Sequence, residues 1–225
     1  MDSHVHAIER VIGNRRSVRG FRPDQVPPDV LEHVFGVAQR APSNCNVQPW
    51  RVFVASGDSR DRIRAALLER VTGGERGKPD FSGSNKFKGG YRKLQIECAI
   101  ALYDEMGITM EDRPGRRAAG LRNYELFDAP HVAFIGMDRS FGFTVAIDVG
   151  IYLQTLMLTM TAHGIACCPQ GALRDHPDLV RAHFNAPEEI GILCGMSFGY
   201  EDEAVPANRT RTTRSPLTNN VVFDT

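Results

Sequence analysis

The sequence predicts a mixed α and β domain of the α+β class. Three observations lead there. Stretches with helical apolar spacing alternate along the chain with short apolar runs of strand character. The segment Phe143 to His163 is apolar nearly all round, which implies a helix buried on most sides. No internal repeat is visible, and 225 residues fit a single domain.

The elements follow in order. Val5, Ile8 and Ile12 recur at helical spacing, and Gly13-Asn14 supplies a stop. Pro27-Pro28-Asp29 opens a second helix with Val30, Leu31, Val34, Phe35 and Ala38 on its apolar side. Pro42 forces it to end near Arg40, and residues 42–50 form a polar loop bounded by prolines. Arg51 to Ala55 alternates as a strand. Asp58 or Ser59 is expected to cap a helix carrying Ile63, Leu67 and Val71. Residues 73–90 are glycine-rich and polar and read as a long mobile loop. Tyr91 to Met106 and Arg116 to Phe127 read as helices, and Val132 to Met137 as a buried strand. Ile165 to Cys168 reads as a short strand ended by Pro169. Asp175-His176-Pro177 starts a helix through Phe184, and Ile190 to Phe198 is an apolar strand. The stretch from Pro206 to Thr225 is polar, with three arginines, and closes on Val221-Val222-Phe223.

Composition removes several function classes. Lys and Arg balance Asp and Glu at 27 each, so no broad basic field draws the chain to nucleic acid. Five cysteines at irregular spacing, with no C-x-x-C, make a poor disulfide framework and favour a reducing compartment, hence the cytoplasm. The start, Met1 to His4, lacks a signal-peptide pattern. Asp148 and Gln154 inside the long apolar segment favour a core helix over a membrane span. His163, Cys167 and Cys168 lack a nearby fourth ligand, so no metal is expected. Gly195 to Gly199 matches G-x-S-x-G, but an acidic run towards Pro206 follows and no histidine lies after His183, so a nucleophilic serine is disfavoured. Neither G-x-G-x-x-G after a strand nor a Walker A sequence occurs. Asn208-Arg209-Thr210 matches a glycosylation sequon, which means little without a secretory signal.

Four segments carry binding chemistry. Arg15, Arg16, Ser17 and Arg19 follow a helix end, and guanidinium groups beside a hydroxyl fit a phosphate or a polar heterocycle. Ser43, Asn44, Asn46 and Gln48 lie between Pro42 and Pro49, and amides can both donate to and accept from a ring bearing carbonyl and imino groups. Pro169-Gln170-Gly171 is a tight turn after a buried strand, where glycine lets backbone approach a ligand closely. Arg209, Arg211 and Arg214 in the tail again fit a phosphate.

In this order and spacing, R-R-S-V-R, P-S-N-x-N-x-Q-P-W, the long helix before P-Q-G, and the terminal R-S-P-L with V-V-F resemble the FMN-dependent nitroreductase superfamily over nearly the whole chain. The resemblance implies a central mixed, mostly antiparallel sheet flanked by helices, in an intertwined homodimer. It implies one domain over residues 1–225, with a variable lid insertion at about 73–120 and a C-terminal extension at 206–225. It places Arg15, Arg16, Ser17 and Arg19 at the FMN phosphate and pyrimidine edge. Pro42, Ser43 and Asn44, with Asn46 and Gln48 close by, reach the flavin of the partner subunit. Pro169, Gln170 and Gly171 lie against the isoalloxazine, with Gln170 standing where the family often has glutamate. Arg214 binds phosphate, Arg211 substitutes for a second basic residue expected where Thr212 stands, and Asn123 is a further flavin contact.

The implied activity is ping-pong reduction. NADH or NADPH gives hydride to FMN and leaves, and a nitroaromatic or quinone-like compound then takes the electrons. The cofactor carries the chemistry, so no catalytic side chain is required. Phe81, Phe87, Tyr91, Tyr124 and Phe127 are aromatic candidates for stacking on a planar substrate. Reductive dehalogenation, ene reduction, flavin fragmentation and non-catalytic FMN binding stand as alternatives.

Overall fold

Strand β2 (His131–Asp138) is the axis of the fold, because seven of its eight residues are buried. A strand without charge until its last position can be covered on both faces. In the computed structural model, which describes residues 3–81 and 86–224, β2 lies between β1 (Arg51–Ser56) and β4 (Ile190–Gly199). β3 (Ala166–Gln170) completes the order β1-β2-β4-β3, with every pairing antiparallel. The mixed character expected of the sheet is confined to one isolated parallel bridge, Ser17 to Cys167.

Alternation along β2 divides the core in two. Ala133, Ile135 and Met137 face α2 (Pro28–Ala38) and α6 (Phe143–Ala162), packing with Val34, Ala38, Tyr152 and Leu156. Val132 and Phe134 face α3 (Gly57–Thr72) and α7 (Pro177–Phe184), packing with Ile63, Leu67 and Val180. The register of β2 on β4 slips between Ile135 and Gly136. A side chain at Gly136 would strike the Gly191 carbonyl, so only glycine lets the backbones approach there.

His131 is locked beneath this sheet. Its Nε2 accepts from the Val26 amide at 2.9 Å, which leaves Nδ1 to donate to Ser56 Oγ at 2.5 Å. Burial pushes its pKa down to about 4, and the charge of Arg60 adds to this.

Three further helices complete the described residues: α1 (Ser3–Asn14), α4 (Gly89–Glu105) and α5 (Arg113–Leu121). Several expectations need correction. α3 begins at Gly57 with Ser56 as its cap residue, and the Ser59 hydroxyl instead meets His183 Nε2 at 2.9 Å. α5 starts at Arg113 because the Asp112 carboxylate accepts from the Gly115 amide at 2.9 Å. It stops at Leu121, and the left-handed residues Leu126, Phe127 and Asp128 break the helix expected to reach Phe127. Pro169 does not end β3 but sits within it opposite Met196, tolerated because β3 is an edge strand. α6 is not covered on most sides, since Phe143, Ile147 and Ile151 stay exposed along one face.

The stretch 73–90 also differs from a free loop, although residues 82–85 of it lie outside the described residues. The Lys78 amide donates to the Asp175 carbonyl at 2.7 Å. Asp80 is buried, accepting from Arg181 at 2.7 Å and from the Ile192 amide at 2.9 Å. Phe81 packs over Gly191 against the α2/α6 core. The strap is thus fastened at the start of β4, and 3₁₀ turns at Pro206–Arg209 and Leu217–Asn219 punctuate the extended tail.

Candidate functional site

Two chain ends meet at the candidate site. α1 ends at Asn14, and Val18 then donates its amide to the Cys167 carbonyl at 3.1 Å, which lays residues 17–18 beside β3. The tail returns past Tyr200 and Glu201, where Phe21 bridges to Glu201. Between them opens a cavity of about 340 Å³ lined by Arg15, Arg16, Ser17, Arg19, Arg211 and Arg214, with Thr210 and Thr212 adding hydroxyls and no carboxylate in the wall.

The arginines are not equivalent. Arg16 is ion-paired with Glu201 and also donates to the Asn208 carbonyl at 3.0 Å. Arg19, Arg211 and Arg214 bond to backbone or hydroxyl oxygens of their own neighbourhood. Among the described residues, Arg15, Arg19, Arg211 and Arg214 form no ion pair with a carboxylate. Several uncompensated cations around one cavity fit a multiply charged anion, because their mutual repulsion is relieved when it binds.

From Cys167, beside Ser17, β3 runs three residues to Gln170, about 10 Å at the usual strand rise. Gly171 is exposed, and a side chain built there would meet nothing within 4 Å, so the turn faces open space. The Gln170 side chain points inward. Its Oε1 accepts from the Ser197 hydroxyl at 2.5 Å and amide at 3.2 Å, and its Nε2 donates to the Asn123 carbonyl at 2.8 Å. Asn123 in turn donates to the Gly120 carbonyl at 3.1 Å. Gln170 and Asn123 therefore form one bonded unit behind the turn.

The loop 42–50 stands apart from the arginine cavity, and none of Pro42, Ser43, Asn44, Asn46 or Gln48 lines it. The loop has its own supports. Asp148, buried on α6, accepts from the Asn44 amide at 3.1 Å, and Ser43 Oγ accepts from the Gln48 amide at 3.0 Å. Cys45, Asn46 and Gln48 take left-handed backbone angles, and Trp50 stacks on Tyr152 with centroids 4.8 Å apart. Asn44, Asn46 and Gln48 are left exposed, and Ser43 is half-buried.

The aromatic candidates separate. Phe87 and Tyr91 are exposed at the start of α4. Phe81 and Phe127 pack into the cores, Phe127 with Val18, Phe21 and Cys168. Tyr124 lies at the α3/α7 side, and its pKa is raised by burial, then by the charge and hydrogen bond of Asp175.

Two motifs weighed in the sequence are structural. Ser197 is fully buried in mid-strand, so Gly195 to Gly199 forms no nucleophile elbow. Burial pushes Cys167 up to about 12 and Cys168 up to about 11, the latter although Arg19 and Ser17 pull it down. All five cysteines are free, and no group of metal-binding type occurs among the described residues.

The sequence profile of the Nitroreductase family matches residues 12–200. The chain belongs to the nitroreductase family. Nitroreductase NfnB of Mycolicibacterium smegmatis is 40% identical over 225 residues, covering 97% of this chain and 93% of the relative. A 4-nitrobenzoate reductase of a Nocardioides species is 31% identical over 223 residues, covering 97% of this chain and 90% of that one. The crystal structure of FMN-dependent nitroreductase NfnB from Mycobacterium smegmatis in complex with NADPH superposes with a TM-score of 0.95, at 38% identity, over 99% of this chain and 100% of that chain.

Three buried polar supports of this nitroreductase chain leave no local signal of their role. Asp148 was visible only as a charge inside an apolar helix. Asp80 and Arg181 meet across 101 residues, which no local pattern reports. Asn208 was visible only as a sequon.

Proposed function

We propose that this chain is an FMN-dependent NAD(P)H oxidoreductase that reduces nitroaromatic or quinone-like compounds, and that it works as a homodimer. The observation that carries the reading is the arginine-lined cavity, with only Arg16 of its five arginines in an ion pair among the described residues, at one end of β3 and the open Gly171 turn at the other. Arg15, Arg19, Arg211 and Arg214 would hold the phosphate through charge-assisted hydrogen bonds. Pro169, Gln170 and Gly171 would back the ring, with the Gln170 side chain spent on Ser197 and Asn123 so that the backbone of the turn faces the ligand. The two-electron redox chemistry would be that of the bound FMN. The protein's share is to bind, to orient and to supply a fixed polar surface.

The exposed face Phe143, Ile147 and Ile151 supports the dimer, as do Val5, Ile8 and Ile12 on α1. These positions recur at helical spacing, every four residues on α6 and three then four on α1, and would bury their apolar area against a second copy. The exposed loop 42–48 would then reach the partner's cavity. A reducing compartment such as the cytoplasm fits the five free thiols.

The test is the visible spectrum of the purified protein. Flavin bands should bleach on anaerobic NADPH or NADH and return with 4-nitrobenzoate. A chain that binds FMN without bleaching is a binding protein, and a chain that takes up no FMN is neither.

A further inference from the structure

Asn208 lies in the short turn Pro206–Arg209 and is 3% exposed. Every polar atom of its side chain is used. Its Oδ1 accepts from the Arg19 amide at 2.6 Å. Its Nδ2 donates to the Gly20 carbonyl and to the Asp202 carbonyl, each at 2.8 Å. A primary amide alone offers one acceptor and two donors in this geometry. The backbone of the same residue is equally engaged. Its carbonyl accepts from Arg16 at 3.0 Å and from Arg211 at 2.9 Å. One residue thus bonds to three of the five arginines that line the cavity, two of them 189 and 192 positions away. Burial also rules this asparagine out as a glycan acceptor in the folded chain.

We infer that Asn208 is the positioning residue of the anion cavity, fastening the N-terminal and C-terminal arginines into one geometry for the phosphate of FMN. The inference rests on the FMN reading above. Cations gathered around a cavity repel one another, and no carboxylate lines this one. Glu201 offsets the charge of Arg16 alone, and the neutral Asn208 amide and carbonyl tie Arg16, Arg19 and Arg211 together without competing for the ligand. Fixing the donors in advance removes the cost of ordering them on binding. Among the described residues Asn208 forms no hydrogen bond with Pro169, Gln170 or Gly171, so its effect should fall on the phosphate.

The test titrates the full chain with FMN and with riboflavin, which lacks the phosphate. Asn208→Ala should raise the FMN Kd by about 30-fold. The riboflavin Kd should change by less than about threefold, since it draws nothing from the arginines. Asn208→Asp keeps the acceptor for Arg19 but loses both donors, and should give the same selective loss. Equal losses for both ligands, or none for FMN, would overturn the inference. So would a loss of fold in both variants by circular dichroism, which would make Asn208 a residue of the fold alone. If the unaltered chain fails to prefer FMN over riboflavin, the FMN reading itself fails before any variant is made.

Discussion

The Gln170 side-chain oxygen accepts two hydrogen bonds from one residue, the hydroxyl of Ser197 at 2.5 Å and its amide at 3.2 Å. With Nε2 donating to Asn123, the amide is complete and 3% exposed. The turn that would back the flavin is therefore held from behind.

Gln170→Glu tests this arrangement through pH. A carboxyl here can replace the amide only while protonated, because an anion would face the Asn123 carbonyl. Burial raises its folded pKa above the unfolded value of about 4.3. The variant should then match the parent near pH 4 and lose stability as pH rises, by about 2 kcal/mol at pH 8. Urea unfolding at both pH values reads this out, and equal stability at pH 8 would show that the side chain is not confined.

His131 predicts the opposite slope. Its pKa is lowered to about 4 by burial and Arg60, so the folded state refuses a proton that the unfolded chain takes near 6.5. Stability from this group is whole above pH 6.5 and is lost as pH falls towards 4, by on the order of 2 kcal/mol. Nitrogen NMR at pH 7 should show a neutral ring protonated at Nδ1, fixed by the Val26 amide at Nε2. A charged imidazolium at pH 6 would contradict the placement.

Asp80 should be among the costliest single changes. It sits with Arg181 at 5% and 9% side-chain exposure. Asp80→Asn keeps an acceptor for the Ile192 amide yet leaves the buried guanidinium only the Ile190 carbonyl at 3.2 Å and the exposed Glu188 carboxylate at 3.7 Å, at a cost of about 3 kcal/mol. Denaturant unfolding gives the loss, and faster proteolysis within residues 73–88 should accompany it as the strap detaches. A loss below about 1 kcal/mol would place the pair in solvent-like surroundings.

What could be read from the sequence follows from range. β2 declared itself because Val132 to Met137 is apolar throughout, and α2 because Pro28 fixes its start. The arginines of both termini were legible as residue types fitted to a phosphate. Their support was not, because Asn208 acts through contacts nearly the full chain length away. Pro169 misled because a proline stops a central strand but not an edge, and edge status depends on topology. The stretch 73–90 was legible as a loop up to α4, but its fastening was not, because the polar Asp80 side chain is buried against Arg181, 101 positions away. α6 misled in the other direction, since an apolar pattern reports what a helix could bury and not what one subunit covers.

That last point yields a prediction. Phe143, Ile147 and Ile151 lie on one line of α6, with Phe143 84% and Ile147 58% exposed. A single chain gains nothing from leaving them in water. Their pattern is explained if a second copy covers them, at about 1.5–3 kcal/mol for each side chain fully buried. Ile147→Asp would place a charge in that contact and leave the monomer's own core untouched. Light scattering should show the unaltered chain as a dimer and the variant shifted to monomer. FMN affinity should fall with it, because Asn44 and its neighbours are held by Asp148 on the same helix and would no longer reach a partner's cavity. A variant that becomes monomeric yet keeps full FMN affinity would confine the flavin contacts to one chain.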